Sequence, residues 1–173
     1  MSTWLPREIE AKRGELQNVL ARTWACIGVG AWVPKPGDLK PVQLQGLPLV
    51  LVRGRDGELR VFHNVCSHRG LALVTQPCHV GGTIRCPYHS WSYGLDGALK
   101  ATPLIGGPGT KSCEGFDRSK HGLKPVRSAL WADAVFVDLS GEAPAFADFI
   151  APLATRWADF DMTRLRHGGA DSS

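Results

Sequence analysis

The sequence has no apolar run long enough to cross a membrane as a helix. Its longest uncharged stretch near the amino terminus, residues 23–34, spans 12 residues and includes two glycines, against the ~20 apolar residues that spanning requires. An export signal is missing too, because residues 1–14 contain Glu8 and Glu10 and no unbroken apolar core. Both absences predict a cytoplasmic chain with no membrane partner. A charge of one sign is also lacking: 20 Lys and Arg face 16 Asp and Glu, a net +4. Cysteines number five, an odd count in a chain expected to remain in a reducing compartment. A disulfide framework is thereby disfavoured, which leaves the thiols as small buried hydrophobes or metal ligands.

Glycine and proline are in excess, together 32 of 173 residues or about 18%, against a usual ~12%. That favours many turns and short strands over long helices, and the expectation is an all-β protein. Leu49 to Arg53 is a compact apolar run, Gly54-Arg55-Asp56-Gly57 a turn, and Glu58 to Asn64 alternates, which together read as a hairpin. A second hairpin is expected from Trp91 to Gly94 and Ala98 to Lys100 around Asp96-Gly97, and a late buried strand from Ala134 to Leu139. Pro103 to Gly115 reads as a surface loop. Amphipathic spacing predicts helices at 6–24 and from Phe146 to Trp157, the latter broken or restarted at Pro152. No internal repeat is visible. The expected division is a helical segment at 1–30, the main domain at 31–142, and a helical segment with linker at 143–173.

Charge is unevenly placed: residues 60–127 hold 9 basic and 3 acidic side chains, whereas residues 128–173 hold 3 and 7. The basic residues are scattered through glycine-rich loops without a recognition helix or repeated aromatic platform, so nucleic acid is not an expected partner. An acidic protein surface fits better.

One pattern carries chemistry. Cys66-Ser67-His68-Arg69-Gly70 is followed, after residues 69–85, by Cys86-Pro87-Tyr88-His89, a C-x-H and a C-x-x-H pair. Each half places one thiolate and one imidazole on a tight loop, and Gly70 and Pro87 suit the backbone angles of such loops. Two soft thiolates and two imidazoles suit a tetrahedral zinc or a mixed-ligand iron–sulfur cluster.

The words around these ligands decide between the two. Cys-Ser-His-Arg-Gly at 66–70 and Cys-Pro-Tyr-His-Ser-Trp-Ser-Tyr at 86–93 resemble the amino-terminal domain of Rieske non-haem iron oxygenase α subunits. So do Pro36-Gly37-Asp38, the Val50 to Arg53 strand, Phe62 to Cys66 and Gly94-Leu95-Asp96-Gly97. The resemblance covers residues 15–158. It implies a β-sandwich with a small cluster-binding subdomain made by the loops at 66–70 and 86–91, and terminal helices. It further implies a 2Fe-2S cluster with Cys66 and Cys86 on one iron and His68 and His89 on the other. Arg69, Gly70, Tyr88 and Trp91 are implied as cluster support or docking residues.

By the same resemblance, the chain passes single electrons from a reductase or ferredoxin to a mononuclear Fe(II) outside it, in a catalytic domain or subunit of an oxygenase that assembles as a homotrimer. His89 would face a carboxylate of the neighbouring subunit. Trp91 stands where respiratory Rieske proteins carry a serine that bonds a cluster sulfide, which implies a potential towards the low end of the roughly −150 to +300 mV Rieske range. The oxygenases extend further, into the domain that holds the second iron, and this chain alone has no counterpart of it. A free-standing Rieske ferredoxin and a zinc-stabilised interaction module are the alternative readings. Among the remaining residues, Cys78 and His79 are expected in a surface loop and Cys26 as a buried hydrophobe. Cys113 is expected to be incidental, and His121 and His167 to be surface histidines.

Overall fold

The computed structural model describes residues 22–108, 110, 113–164 and 168. Among them ten strands form three mostly antiparallel sheets. In chain order these are β1 (Ala25–Val29), β2 (Asp38–Leu44), β3 (Leu47–Arg53), β4 (Leu59–His63), β5 (Cys78–His79), β6 (Thr83–Arg85), β7 (Ser92–Gly94), β8 (Leu99–Ala101), β9 (Arg127–Trp131) and β10 (Ala134–Asp138), with one helix, α1 (Phe146–Arg156). They fall into two compact units: Val29–Val126, and the described residues up to Gly28 together with those from Arg127 onward.

In the first unit, four strands run in the order β4-β3-β2-β5 and three in the order β6-β7-β8. Strand β3 is central, and Leu49, Val50, Leu51 and Val52 are all fully buried. Covered on both faces, it reads as a continuous apolar run and not as an alternating one. One core joins the two sheets: Leu39, Val50, Val52 and Phe62 of the first pack with Ile84, Tyr93 and Leu99 of the second, and Cys66 and Cys86 sit in the same cluster. The ligand loops are therefore anchored in the best-packed part of this unit.

The β3–β4 and β7–β8 hairpins turn in the same way. Gly54 and Gly94 donate to the carbonyls of Glu58 and Ala98, and the Asp56 and Asp96 side chains cap the amides of those same residues. Gly57 and Gly97 take φ of +82° and +81°, the left-handed position that lets a turn feed a bulged hairpin. Gly-x-Asp-Gly-x-Leu at 54–59 and 94–99 is thus a short structural repeat that the sequence reading passed over. Both expected hairpins are present.

The second unit carries the sheet β1-β10-β9 and α1. Asp138 is almost fully buried and accepts from Arg127, from Ser140 and from the amides of Gly141 and Ala143. Burial alone would raise its carboxyl, but those hydrogen bonds outweigh it and hold the group below the usual carboxylate range. The Trp24 indole donates to the Pro144 carbonyl at 2.9 Å and meets Phe146 edge-on.

Two expectations change here. Pro152 lies inside α1 without ending it; its missing N–H frees the carbonyl of Asp148, and both residues are exposed, so water can take the place of the lost donor. Cys26 is exposed, not buried; it alternates with buried Ala25 along edge strand β1, so its side chain points outward. The helix expected at 6–24 lies outside the described residues over 6–21, and Arg22 to Trp24 are not helical. His167 is also outside them.

Candidate metal centre

The two ligand loops share one backbone design. In the first, the Cys66 amide donates to the Leu71 carbonyl at 2.8 Å and Gly70 donates back to Cys66 at 2.9 Å. In the second, Cys86 donates to Trp91 at 2.8 Å and Ser90 donates back to Cys86 at 3.0 Å. Each loop closes through a left-handed residue four places after its cysteine, Gly70 at φ +75° and Ser90 at φ +58°. Each thereby turns its cysteine inward and lifts its histidine towards the rim.

Both thiols are buried, at 2% exposure, whereas both imidazoles are half-buried. The rings of His68 and His89 lie 4.8 Å apart, edge to face. Burial first, then the neighbouring His89 and Arg69 charges, push the His68 imidazole below its usual range and favour the neutral form that ligates metals. His89 Nδ1 is buried and has no hydrogen-bond partner. A buried imidazole nitrogen is ordinarily satisfied, and a metal bond would satisfy this one. The donor set offers two buried thiols and two rim imidazoles, the mixed ligand set that a Rieske 2Fe-2S cluster takes.

The supporting residues are where the sequence pointed, with additions. Trp91 is buried and stacks on His68 at 4.6 Å and 8°. Tyr88 is 57% exposed, yet its ring lies 3.7 Å from that of His89, and the Arg69 guanidinium sits over it at 5.9 Å. Cys78 and His79 are exposed as expected, but they form strand β5 against β2 and not a loop, and His79 hydrogen-bonds Asp38 at 2.8 Å. Cys113 is exposed.

Four positioning residues escaped the sequence reading. Tyr93 is fully buried, and its hydroxyl lies 3.2 Å from Cys66 Sγ, 3.1 Å from the Ser67 amide and 3.0 Å from Ser67 Oγ. Burial and the contact with Cys66 push its phenol up to about 12, so it stays a donor at neutral pH. Asn64 clasps the chain beyond the first loop, accepting from the amides of Leu73 and Val74 and donating to the Val74 carbonyl. Phe116 and His121 extend the ring cluster outward. Asn64 was visible as a lone polar residue in an apolar stretch, and Tyr93 as the second aromatic on the face of Trp91; nothing local marks Phe116 or His121.

The Rieske 2Fe-2S domain family matches residues 23–113. The chain is 36% identical over 152 residues to the glycine betaine monooxygenase oxygenase subunit of Chromohalobacter salexigens, covering 88% of this chain and 33% of that protein. It is 34% identical over 145 residues to the carnitine monooxygenase oxygenase subunit of Escherichia coli K12, covering 82% and 37%. The chain therefore spans about a third of the length of these relatives. A solved quaternary ammonium Rieske monooxygenase superposes with a TM-score of 0.73 at 30% identity, covering 82% of this chain and 38% of its own. Naphthalene 1,2-dioxygenase superposes with a TM-score of 0.74 at 27% identity, covering 88% and 34%. Paired ligand loops, a buried thiol pair and these likenesses converge: the chain belongs to the Rieske 2Fe-2S domain family.

Proposed function

We propose that this chain is the electron-transfer domain of a Rieske non-haem iron oxygenase, with Cys66 and Cys86 holding one iron and His68 and His89 the other. The observation that carries the ligand assignment is the unpartnered, buried Nδ1 of His89 beside His68, above two buried thiols. When bound, the cluster supplies a one-electron carrier that is electrically neutral with its ligands when oxidised and −1 when reduced, whereas four thiolates would make it −2 and −3. The chain's own residues set the rest. Neutral imidazoles keep the total charge low, and buried thiols exclude water from the sulfur side. Tyr93 keeps a donor on Cys66, while Trp91 fixes the plane of the His68 ring.

The half-buried rim at His89, with Tyr88 and Arg69 exposed beside it, is the exit towards a mononuclear Fe(II) in a catalytic domain or neighbouring subunit. Support for this comes from the solved quaternary ammonium Rieske monooxygenase, whose structure is described as giving insight into inter-subunit electron transfer. The full protein is then an oxygenase that hydroxylates an organic substrate with O2, fed by a reductase or ferredoxin, assembled as a homotrimer and located in the cytoplasm. Among the described residues no helix is long and apolar enough to cross a membrane. That the relatives are oxygenase subunits weighs against a free-standing ferredoxin.

Absorption and EPR spectra of anaerobically purified protein, with iron, sulfide and zinc quantified, test this reading. Two irons and two sulfides per chain, with the low average g-value of a His-ligated cluster on reduction, are expected. Zinc without iron after reconstitution would sink it. His89→Cys is expected to retain a cluster but to lower its potential towards the roughly −400 mV of plant-type, all-thiolate clusters; an unchanged potential would remove His89 from the ligand set.

A further inference from the structure

The ring cluster does not stop at the ligands. His68 stacks on Trp91 at 4.6 Å, Trp91 meets Phe116 edge-on at 5.7 Å, and Phe116 stacks on His121 at 4.6 Å and 15°. Trp91 and His121 are themselves 6.2 Å apart. A closed series of ring contacts thus leads from a proposed ligand, through a buried indole, to a half-buried imidazole at the surface.

Where the series emerges, a cavity of about 560 Å³ opens against the first ligand loop, lined by His63, Ser67, Lys120, His121 and Lys124 among others. Its wall is tied to the loop, since Ser67 Oγ donates to the His121 carbonyl at 2.6 Å and the His63 amide donates to the Lys124 carbonyl at 3.0 Å. Lys120 and Lys124 are exposed. Burial and the Lys124 ammonium push the His63 imidazole down, which places that charge at the cavity. Asp117, 3.7 Å from Lys120, offsets part of the positive charge. The site lies in the most basic third of the sequence, 9 basic against 3 acidic side chains over residues 60–127.

We infer that this face, and not the rim at His89, is where the electron enters: an acidic iron–sulfur donor protein docks on Lys120 and Lys124 and delivers its electron along His121, Phe116, Trp91 and His68. The inference rests on the electron-transfer reading above. One electron leaves the donor's reduced centre, which is thereby oxidised, and the oxidised cluster takes it up. No ring changes oxidation state, no bond breaks and no proton moves. The packed rings give a contact path where solvent would otherwise lie, and the two lysines steer an acidic partner into register. Separate entry and exit faces leave Tyr88, His89 and Arg69 free to remain engaged with the catalytic partner while the donor comes and goes.

The test mixes the full chain, loaded with its cluster, with a reduced acidic plant-type ferredoxin in a stopped-flow instrument and follows cluster bleaching. Such a ferredoxin, near −400 mV, lies below the Rieske range and drives the transfer. Lys120→Glu with Lys124→Glu is expected to lower the second-order rate constant roughly tenfold or more at low ionic strength, with the difference largely gone at about 1 M salt. His121→Ala is expected to slow transfer at saturating ferredoxin, where docking strength no longer limits the rate. Photoreduction by a deazaflavin, which needs no docking, serves as the folding and cluster control and should be equal in the parent and the double reversal. A rate constant within twofold of the parent for the double reversal, or a loss produced instead by Arg69→Glu, overturns the inference. Absence of a His-ligated EPR signal in the parent overturns the electron-transfer reading itself and is seen before any variant is made.

Discussion

The loops at 66–71 and 86–91 repeat one backbone design yet are held in place differently. The first is strapped from outside: Asn64 clasps residues 73 and 74, Tyr93 reaches Cys66 and Ser67, and Ser67 reaches the His121 carbonyl. The second is largely self-contained, closed by its own backbone and by Ser92 Oγ donating to the Ser90 carbonyl at 2.9 Å. Bracing follows position. The first loop leads to the ring series and the basic cavity, whereas the second presents Tyr88 and His89 at the open rim. A rigid entry side and an exposed exit side suit a relay between two partners.

At their cysteines the two loops should behave alike despite unequal bracing. Cys66→Ser and Cys86→Ser are each expected to reduce bound iron and sulfide to background and to abolish the visible spectrum, since each removes one of only two thiolates. Metal analysis decides; retention of two irons by either variant would mean that its loop does not carry a ligand.

The unequal bracing itself is next. Asn64→Ala removes three hydrogen bonds of a buried side chain and leaves the amides of Leu73 and Val74 unsatisfied, with an expected loss of about 2–4 kcal/mol. Ser92→Ala, in the self-contained loop, removes one and is expected to lose about 1 kcal/mol. Urea midpoints of the two variants at matched cluster loading measure the difference. Equal losses would show the bracing to be symmetric.

How much of this was legible in the sequence depends on range. The four proposed ligands, Gly70 and Trp91 lie within two short words, and local chemistry was enough to mark them. The paired hairpins were legible for the same reason, since Asp56-Gly57 and Asp96-Gly97 are turn signals wherever they occur. Asn64 acts over ten residues, Tyr93 over 27 and His121 over 54, and their roles exist only once the sheets bring those residues together. Pro152 misled because a proline's cost in a helix depends on whether the freed carbonyl meets water, which depends on packing. Cys26 misled because strand alternation, not neighbouring aromatics, decides which way a side chain points.

A smaller asymmetry lies at the sulfurs. Tyr93 places a hydroxyl 3.2 Å from Cys66 Sγ, and among the described residues no hydroxyl does the same for Cys86. A donor at a thiolate stabilises the more negative, reduced state, so Tyr93→Phe is expected to lower the potential by about 40 mV, the equivalent of roughly 1 kcal/mol for one electron. Voltammetry of the loaded protein reads this directly. A potential unchanged within error would make the Tyr93 hydroxyl a brace for Ser67 alone.

The two left-handed positions set the loops apart once more. Gly70 and Ser90 occupy equivalent places in their loops, at φ +75° and +58°, but only the first carries the residue suited to that conformation. A Cβ at Gly70 meets no atom within 4 Å, so Gly70→Ala tests backbone strain without steric overlap and is expected to cost about 1–2 kcal/mol. Ser90→Gly relieves the same strain in the second loop but adds freedom to the unfolded chain, and the two nearly cancel, for a change between zero and about 1 kcal/mol of stabilisation. Thermal midpoints of the two variants should therefore move in opposite directions, or one should fall while the other stays. If both fall equally, Ser90 is held by something other than its backbone, and the two loops are less alike than their hydrogen bonds make them.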